Sequence, residues 1–299
     1  MASPAQWISA ARPKTLPAAV APVAVGTALA IIEAGLKPSI TIPRALLALG
    51  LCLALQIGVN YANDYSDGIR GTDDQRVGPF RLTGSGAARP AAVKRAAFIC
   101  FAVGAICGLT LVALAGAWWM VLVGIAAIAA AWFYTGGTNP YGYRGLGEVF
   151  VFVFFGLVAV LGTSYLIAGT VSIGAVCAAC AVGLLAVSLL VINNLRDIPT
   201  DRASGKLTLS VRIGDSASRR LIVALLLVPF ALMIPVIISA PWVALVAGAL
   251  PLTIAPLRDV LIRRLTGYDL IPALGSSGRL ELVFSLLVLA GALLHRTLG

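Results

Sequence analysis

Long apolar runs recur along the whole chain, and they constrain its fold more than any other feature of the sequence. Nine of them are about as long as an α-helix must be to cross the hydrocarbon core of a bilayer. The chain is 60% hydrophobic and only 11% charged, whereas soluble domains are roughly 25% charged. We therefore predict an all-α, polytopic integral membrane protein, with residues 1–299 forming a single transmembrane domain of nine spanning helices. The runs are residues 16–35, 45–63, 95–115, 117–135, 148–168, 171–193, 220–239, 242–257 and 280–298.

The basic residues predict how this bundle is oriented in the membrane. If successive runs alternate in direction, 19 of the 22 Lys and Arg residues fall on one side, and only Lys37, Arg44 and Arg296 fall on the other. Basic loops of membrane proteins are retained on the cytoplasmic side. The sequence thus predicts a cytoplasmic N-terminus, and the net charge of +10 reflects topology rather than nucleic-acid binding.

Acidic and amide side chains concentrate where two of the apolar runs end, on the same predicted side. Each group has its members at offsets of 0, 3 and 7, positions that share one face of a helix. The proline at position 199 predicts that the second helix bends or ends there. We interpret the two groups, at residues 60–67 and 193–201, as a weak internal repeat that faces a shared cavity. The first comprises Asn60, Asn63 and Asp67, and the second comprises Asn194, Asp197 and Asp201.

A basic loop that contains glycine follows each motif, at residues 68–94 and at residues 202–219. Glycine lets a loop turn tightly and bring backbone amides close to a ligand. Carboxylate and amide oxygens suit Mg²⁺, which commonly also binds substrate phosphate, and Arg and Lys suit the phosphate oxygens. The residues therefore predict a magnesium-dependent site for a phosphorylated substrate, with the surrounding apolar bundle holding a lipid tail.

Other interpretations of the acidic residues remain open. The two clusters could only cap helices or pair with loop arginines, or they could bind the ions of a cation-coupled transporter. Their position at helix ends, beside basic loops, favours an anionic phosphate over an ion carried across the bilayer. Away from the clusters, we interpret Asp259, Asp269 and Glu281 as solvated or helix-end charges.

Both motifs resemble those of a known family. NDYSD at residues 63–67 resembles the first aspartate-rich motif of the UbiA superfamily of intramembrane aromatic prenyltransferases, and DIPTD at residues 197–201 resembles the second. Within the superfamily, the chain is most similar to the branch that prenylates 1,4-dihydroxy-2-naphthoate. Further segments carry this similarity: ARPKTLPAA (11–19), GPFRLTGSG (78–86), the pair at 134–135, YRGLGEVFVFVFFG (143–156) and NNLRDIPTDRASGKLTLSVRIG (193–214).

One position departs from the broader pattern of the family. The first motif often continues to a third aspartate, and this chain has Gly71 at that place, with Asp73 and Asp74 as the next acids. The resemblance therefore leaves open whether Asp73 or Asp74 faces the metal.

The resemblance implies a horseshoe of nine helices around a central cavity that is open sideways to the bilayer. It also implies a bacterial plasma membrane protein whose active site faces the cytoplasm. Carried over by position, the catalytic residues are Asp64, Asp67, Asp197 and Asp201. The implied magnesium ligands are the same four aspartates together with Asn60, Asn63 and Asn194. Arg81 and Lys206, in the two loops, are the candidates for diphosphate contacts.

The implied reaction transfers a prenyl group from a polyprenyl diphosphate to 1,4-dihydroxy-2-naphthoate, with loss of CO₂, and gives demethylmenaquinone. A second acceptor within the family is 4-hydroxybenzoate. The residues expected to contact the aromatic substrate are Arg12, Lys14, Tyr134, Tyr143 and Glu148. Each also has an ordinary interpretation, because basic residues bind lipid headgroups, tyrosines form interfacial belts, and an acid suits the first turn of a helix.

Overall fold

The computed structural model describes residues 2–71 and 80–298, so Asp73 and Asp74 lie outside the described residues. The fold is all-α, as predicted, with 83% of the chain in helices and no β-strand within these ranges. A short helix precedes nine longer ones. We label them α1 (Pro4–Ala10), α2 (Pro17–Ala34), α3 (Pro38–Ile69), α4 (Pro90–Ala115), α5 (Met120–Phe133), α6 (Gly147–Ala168), α7 (Ile173–Ala203), α8 (Leu209–Ser239), α9 (Pro241–Ile262) and α10 (Gly267–Leu298).

Eight of the described helices are long and apolar enough to cross a membrane, and they correspond to eight of the nine predicted runs. The remaining run, residues 117–135, forms α5, which has only 14 residues. A helix of that length spans about 21 Å, less than the roughly 30 Å of the hydrocarbon core. The count of nine crossings and the cytoplasmic N-terminus therefore stay predictions.

Prolines begin several of the long helices. Pro17, Pro38 and Pro90 occupy the first turns of α2, α3 and α4. Backbone N–H groups have no partner within the helix there, so proline loses no hydrogen bond, and its fixed φ favours the helix. The start of α7 is capped instead by Ser172, whose hydroxyl accepts a hydrogen bond from Ala175 N at 3.0 Å.

Both motifs lie entirely on helices, at the C-terminal ends of α3 and α7. The second helix does not end at Pro199, since α7 continues to Ala203, so the bend is the alternative that stays a prediction. The largest cluster of buried apolar side chains is built around α7 and includes residues of α2, α6, α8, α9 and α10. A smaller cluster joins α1, α3, α4 and the segment at residues 80–88.

The interpretation of Glu281 as a solvated or helix-end charge is wrong, whereas Asp259 does lie at a helix end, in the last turn of α9, although it is buried. Glu281 lies within α10 with no exposed surface, and its two carboxylate oxygens have no hydrogen-bond partner within the described ranges. Asp259 is 6% exposed and lies 3.5 Å from both Arg258 and Arg263. Only Asp269 is exposed, as predicted. Glu281 is buried because its neighbours Leu280 and Phe284 pack into the main apolar cluster, and sequence patterns do not reveal that packing.

Helices α6 and α7 approach each other at two glycines. A Cβ atom added to Gly156 would lie 2.6 Å from Gly183 Cα and 2.8 Å from Ala179 O. Such distances leave no room for a methyl group. Helix backbones in membrane bundles approach this closely only where small residues face each other.

We expect Gly156→Ala to lower the stability of the detergent-solubilised protein by about 1–3 kcal/mol, the usual cost of overpacking. Gly248→Ala is the matched control, because a Cβ atom there would make an ordinary 3.6 Å contact with Leu287. Thermal unfolding of both variants checks the prediction. Equal melting temperatures would contradict the close helix contact.

Candidate active site

A cavity of about 1100 Å³ lies between the helices, and its wall changes character along α3 and α7. Along α3 the wall is apolar from Ala48 to Leu55 and then polar from Gln56 to Asp67. Along α7 the same change occurs after Leu190. The cavity therefore has an apolar part, where a hydrocarbon chain fits, and a polar end formed where the two helices terminate.

Twelve of the fourteen predicted site residues line this cavity. Asp64 and Glu148 are described by the structure but are not among the residues of the wall. The twelve are Arg12, Lys14, Asn60, Asn63, Asp67, Arg81, Tyr134, Tyr143, Asn194, Asp197, Asp201 and Lys206.

Asp67 is the meeting point of the polar end. Its Oδ2 lies 3.6 Å from both Arg81 Nη2 and Lys206 Nζ, and its Oδ1 accepts a 2.6 Å hydrogen bond from the hydroxyl of Tyr143. The Lys206 ammonium also lies 4.4 Å from the centre of the Tyr143 ring. Arg81 and Lys206 thus bring two cationic groups to this end of the cavity, and such groups suit the oxygens of a diphosphate.

The second motif contains a buried ion pair. Arg196 donates two hydrogen bonds to Asp197, from Nε to Oδ1 at 2.6 Å and from Nη2 to Oδ2 at 2.7 Å. Both residues line the cavity. In the sequence, Arg196 is only one of the 19 basic residues that predict the orientation in the membrane. Its place next to Asp197 in the motif was a signal that could have drawn attention to it.

Asp64 lies behind the cavity wall, and its role as a magnesium ligand stays a prediction. Asp64 is 1% exposed, and its two oxygens accept hydrogen bonds from the backbone N–H groups of Leu82 and Thr83, at 2.7 and 2.8 Å. Asp64 therefore anchors the loop that carries Arg81. The loop packs closely on α3, since a Cβ atom at Gly68 would lie 2.5 Å from the Thr83 side chain.

Glu148 likewise lies behind the cavity wall rather than in it. Its Oε1 accepts a 2.9 Å hydrogen bond from Asn194 Nδ2, which leaves the amide oxygen of Asn194 for the cavity. On the opposite side, Asn63 Oδ1 accepts a 2.8 Å hydrogen bond from the Thr135 hydroxyl. The hydroxyl of Thr135 thus fixes the orientation of the Asn63 amide, and the carboxylate of Glu148, behind the wall, fixes that of Asn194.

An aromatic wall adjoins the polar end. Tyr141 stacks on Phe150 with ring centres 3.8 Å apart, and it meets Tyr134 edge-on at 5.5 Å. The Tyr141 hydroxyl donates to Ala130 O at 2.8 Å. Burial raises the pKa of Tyr141 above that of an ordinary tyrosine, and Tyr134 adds to the shift, so the hydroxyl stays neutral. Sequence reasoning missed Tyr141 although it lies between two predicted residues, because nothing in the pattern separated it from an interfacial tyrosine.

The loop that leads to α6 is also tied to the first motif. Arg70, at the end of α3, donates hydrogen bonds to the carbonyls of Thr135 and Gly137 and lies 5.4 Å from the Tyr143 ring centre. This arginine therefore fixes the loop that places Tyr143 over Asp67.

The N-terminal segment turns into the cavity at Arg12. This residue has a left-handed backbone, with φ at 54°, a conformation that costs a residue other than glycine about 1–3 kcal/mol. Lys14 lies two residues further on, and both side chains line the cavity. Cations at this place can bind an anionic group of a second substrate.

The oxygen donors around the polar end suit a hard cation. Within residues 2–71 and 80–298, no three His, Cys, Asp or Glu side chains form a metal cluster by themselves. The cavity wall nevertheless includes three carboxylates, of Asp67, Asp197 and Asp201, and the amides of Asn63 and Asn194. Such a set fits Mg²⁺, which usually takes only one or two carboxylates and completes its shell with water and substrate phosphate.

The sequence profile of the UbiA prenyltransferase family matches residues 19–266. A 1,4-dihydroxy-2-naphthoate octaprenyltransferase of Mycobacterium tuberculosis is 52% identical, over 98% of each chain. The protein of the same name in Escherichia coli is 40% identical, over 97% of this chain and 96% of that one.

Solved structures show the same fold at much lower identity. A UbiA homolog from Archaeoglobus fulgidus, bound to GPP and Mg²⁺, is 17% identical with a TM-score of 0.66, over 96% of this chain and 99% of that chain. A UbiA homolog from Aeropyrum pernix K1 has a TM-score of 0.67 at 17% identity, over 95% and 98% of the two chains.

We expect Asp64→Asn to loosen the loop at residues 80–86. Asp64 accepts hydrogen bonds from two backbone N–H groups, and in the variant an amide nitrogen, itself a donor, would face one of them. Hydrogen exchange at the amides of Leu82 and Thr83 should become faster, by about tenfold for each 1.4 kcal/mol of lost stability. Asp269→Asn, at an exposed carboxylate, is the control and should leave these amides unchanged. Unchanged exchange in Asp64→Asn would contradict the anchoring role.

Proposed function

The chain belongs to the UbiA prenyltransferase family, and we propose that it transfers a polyprenyl group to 1,4-dihydroxy-2-naphthoate in the biosynthesis of menaquinone. The substrates are a polyprenyl diphosphate and the dihydroxynaphthoate, and the products are demethylmenaquinone, CO₂ and diphosphate. The observation that carries this proposal is the cavity itself, in which one continuous wall passes from apolar side chains to a cluster of cations and carboxylates. The similarity to curated enzymes over nearly the whole chain supports the choice of acceptor.

The polar end is suited to the diphosphate. Arg81 and Lys206 come from different loops and both lie beside Asp67, so they can hold the phosphate oxygens from two directions. The residues that would hold magnesium are Asn63, Asp67, Asn194, Asp197 and Asp201. When bound, Mg²⁺ would neutralise the charge that develops on the leaving diphosphate.

The residues of the chain favour the bond changes of the reaction. The allylic C–O bond breaks and its electron pair leaves with the diphosphate, which the two loop cations stabilise. The ring carbon that bears the carboxylate supplies the pair for the new C–C bond. The C–CO₂ bond then breaks and returns its pair to the ring. The rings of Tyr134, Tyr141 and Tyr143 can face the allylic cation and exclude water from it.

The acceptor is placed beside the N-terminal turn in this proposal. Arg12 and Lys14 line the cavity and would bind the carboxylate of the dihydroxynaphthoate. The apolar wall formed by the middle of α3, α5 and α6 would hold the polyprenyl chain, and burial of that chain supplies binding energy in proportion to its area.

We further propose that the protein lies in the bacterial plasma membrane with the polar end of the cavity toward the cytoplasm. The basic loops and the N-terminal segment lie on the side where α3 and α7 end, which agrees with the distribution of Lys and Arg. Residues from the N-terminal turn to α10 contribute to one cavity, which supports a single domain.

Membranes that contain the protein should convert 1,4-dihydroxy-2-naphthoate and a labelled polyprenyl diphosphate into a labelled lipid quinone with Mg²⁺ but not with EDTA. Asp197→Asn should lower the rate by about 100-fold or more, since it removes a carboxylate that would hold Mg²⁺ beside the leaving diphosphate. Asp269→Asn serves as the control with an exposed carboxylate. Product from 4-hydroxybenzoate alone would place the chain in another branch of the family, and no product from either acceptor would refute prenyl transfer.

The two contacts of Tyr143 can be separated by two substitutions. Tyr143→Phe removes the hydroxyl that donates to Asp67 and keeps the ring beside Lys206, so we expect a loss of about tenfold in kcat/KM. Tyr143→Leu removes both contacts and should cost more. Steady-state kinetics with varied diphosphate measures both effects, and equal rates for the wild-type protein and Tyr143→Leu would rule out a role for this residue.

A further inference from the structure

The backbone of the N-terminal turn is held by two side-chain amides of α3. Asn60 Nδ2 donates to Ala11 O at 2.8 Å and to Thr15 Oγ1 at 3.1 Å, and Gln56 Nε2 donates to the same hydroxyl at 2.9 Å. The Thr15 hydroxyl in turn donates to Arg12 O at 2.9 Å. These bonds enclose Arg12, since they hold the carbonyl before it, its own carbonyl and the threonine that follows.

Arg12 needs such support because its conformation is unfavourable in isolation. Within the described ranges, it is one of two residues other than glycine with a positive φ. It also precedes Pro13, and a residue before proline is normally extended. A strained backbone persists only where its surroundings impose it. The hydrogen bonds from α3 supply that constraint.

A second contact fixes the same segment further back. The Tyr61 hydroxyl donates to Trp7 O at 3.1 Å, and the rings of Trp7 and Tyr61 meet edge-on at 5.6 Å. Helix α1 is therefore attached to α3 next to Asn60, and the turn at Arg12 is anchored at both of its ends.

We propose that Thr15, Gln56 and Asn60 are positioning residues for the aromatic acceptor, which they serve by holding Arg12 in its left-handed conformation at the cavity wall. This inference rests on the proposed function. It changes the role predicted for Asn60, whose amide donors are used on the N-terminal turn and whose loss should affect the acceptor rather than magnesium.

Gln56 completes the same part of the pocket. It is 8% exposed and lines the cavity, and within the described part of the chain its Oε1 is buried and has no hydrogen-bond partner. Buried acceptors normally have a donor. A ring hydroxyl of the acceptor is a donor of the required kind, so the carboxylate at Arg12 and a hydroxyl at Gln56 would together orient the ring.

The test replaces the shared hydroxyl. Thr15→Val keeps the shape of the side chain but removes every hydrogen bond that converges on it, so the KM for 1,4-dihydroxy-2-naphthoate should rise about tenfold. The KM for polyprenyl diphosphate and the Mg²⁺ concentration for half-maximal rate should stay the same. Thr15→Ser, which keeps the hydroxyl, should recover most of the acceptor affinity. Thr110→Val is the matched control, because Thr110 is exposed and its hydroxyl donates to Ile106 O within α4.

Calorimetric titration with dihydroxynaphthoate alone gives a second measurement that does not need turnover, and Gln56→Met should weaken this binding as well. A change in the magnesium dependence, an equal rise in both KM values, or no difference between Thr15→Ser and Thr15→Val would overturn the inference. The wild-type protein decides the proposed function separately, since a failure of that proposal would appear as absence of product before any variant is compared.

Discussion

The buried carboxylate of Asp67 is the interaction on which the rest of the polar site depends. It stands at the end of α3, and a residue from each of three separate segments comes to it: Arg81, Tyr143 and Lys206. A carboxylate in a membrane-embedded cavity is costly unless it is paired, and two cations so close together would repel each other without it. One side chain therefore allows two basic loops to converge where a diphosphate would lie.

The carboxylates and amides next to Asp67 do not all face the cavity. Asp64 and Glu148 lie behind the wall, where the first holds the loop of Arg81 and the second orients Asn194. The geometry of the polar end is thus set in part by carboxylates that lie behind the cavity wall and bind the groups in front of them. These bonds make the contacting groups rigid, and rigid dipoles and charges stabilise a transition state without reorganising.

The sequence predicted the long apolar helices and placed the two polar motifs on helix faces, because both depend on periodicity. Apolar runs define the spans, and offsets of 0, 3 and 7 place Asn63 and Asp67 on one face whatever the loops do. The roles that sequence did not predict depend on the path of the loops. Asp64 and Asp67 are three residues apart in one motif. The path of the loop at residues 80–86 decides that Asp64 binds the loop backbone and that Asp67 lies beside the Arg81 side chain. The same holds for Tyr141, whose partners lie in other segments. The role of Arg196 depends instead on the side-chain rotamer that pairs it with the neighbouring Asp197.

The anchored N-terminal segment has a practical consequence for handling the protein. Residues 4–10 form a helix packed on α3, and the turn that follows enters the cavity, so a purification tag fused before Ser3 would lie close to the site. The other terminus is a safer place for a fusion. Arg296 lies beside Gly35, at the far end of α2 from the N-terminal turn, and a tag added after Leu298 would extend away from the site.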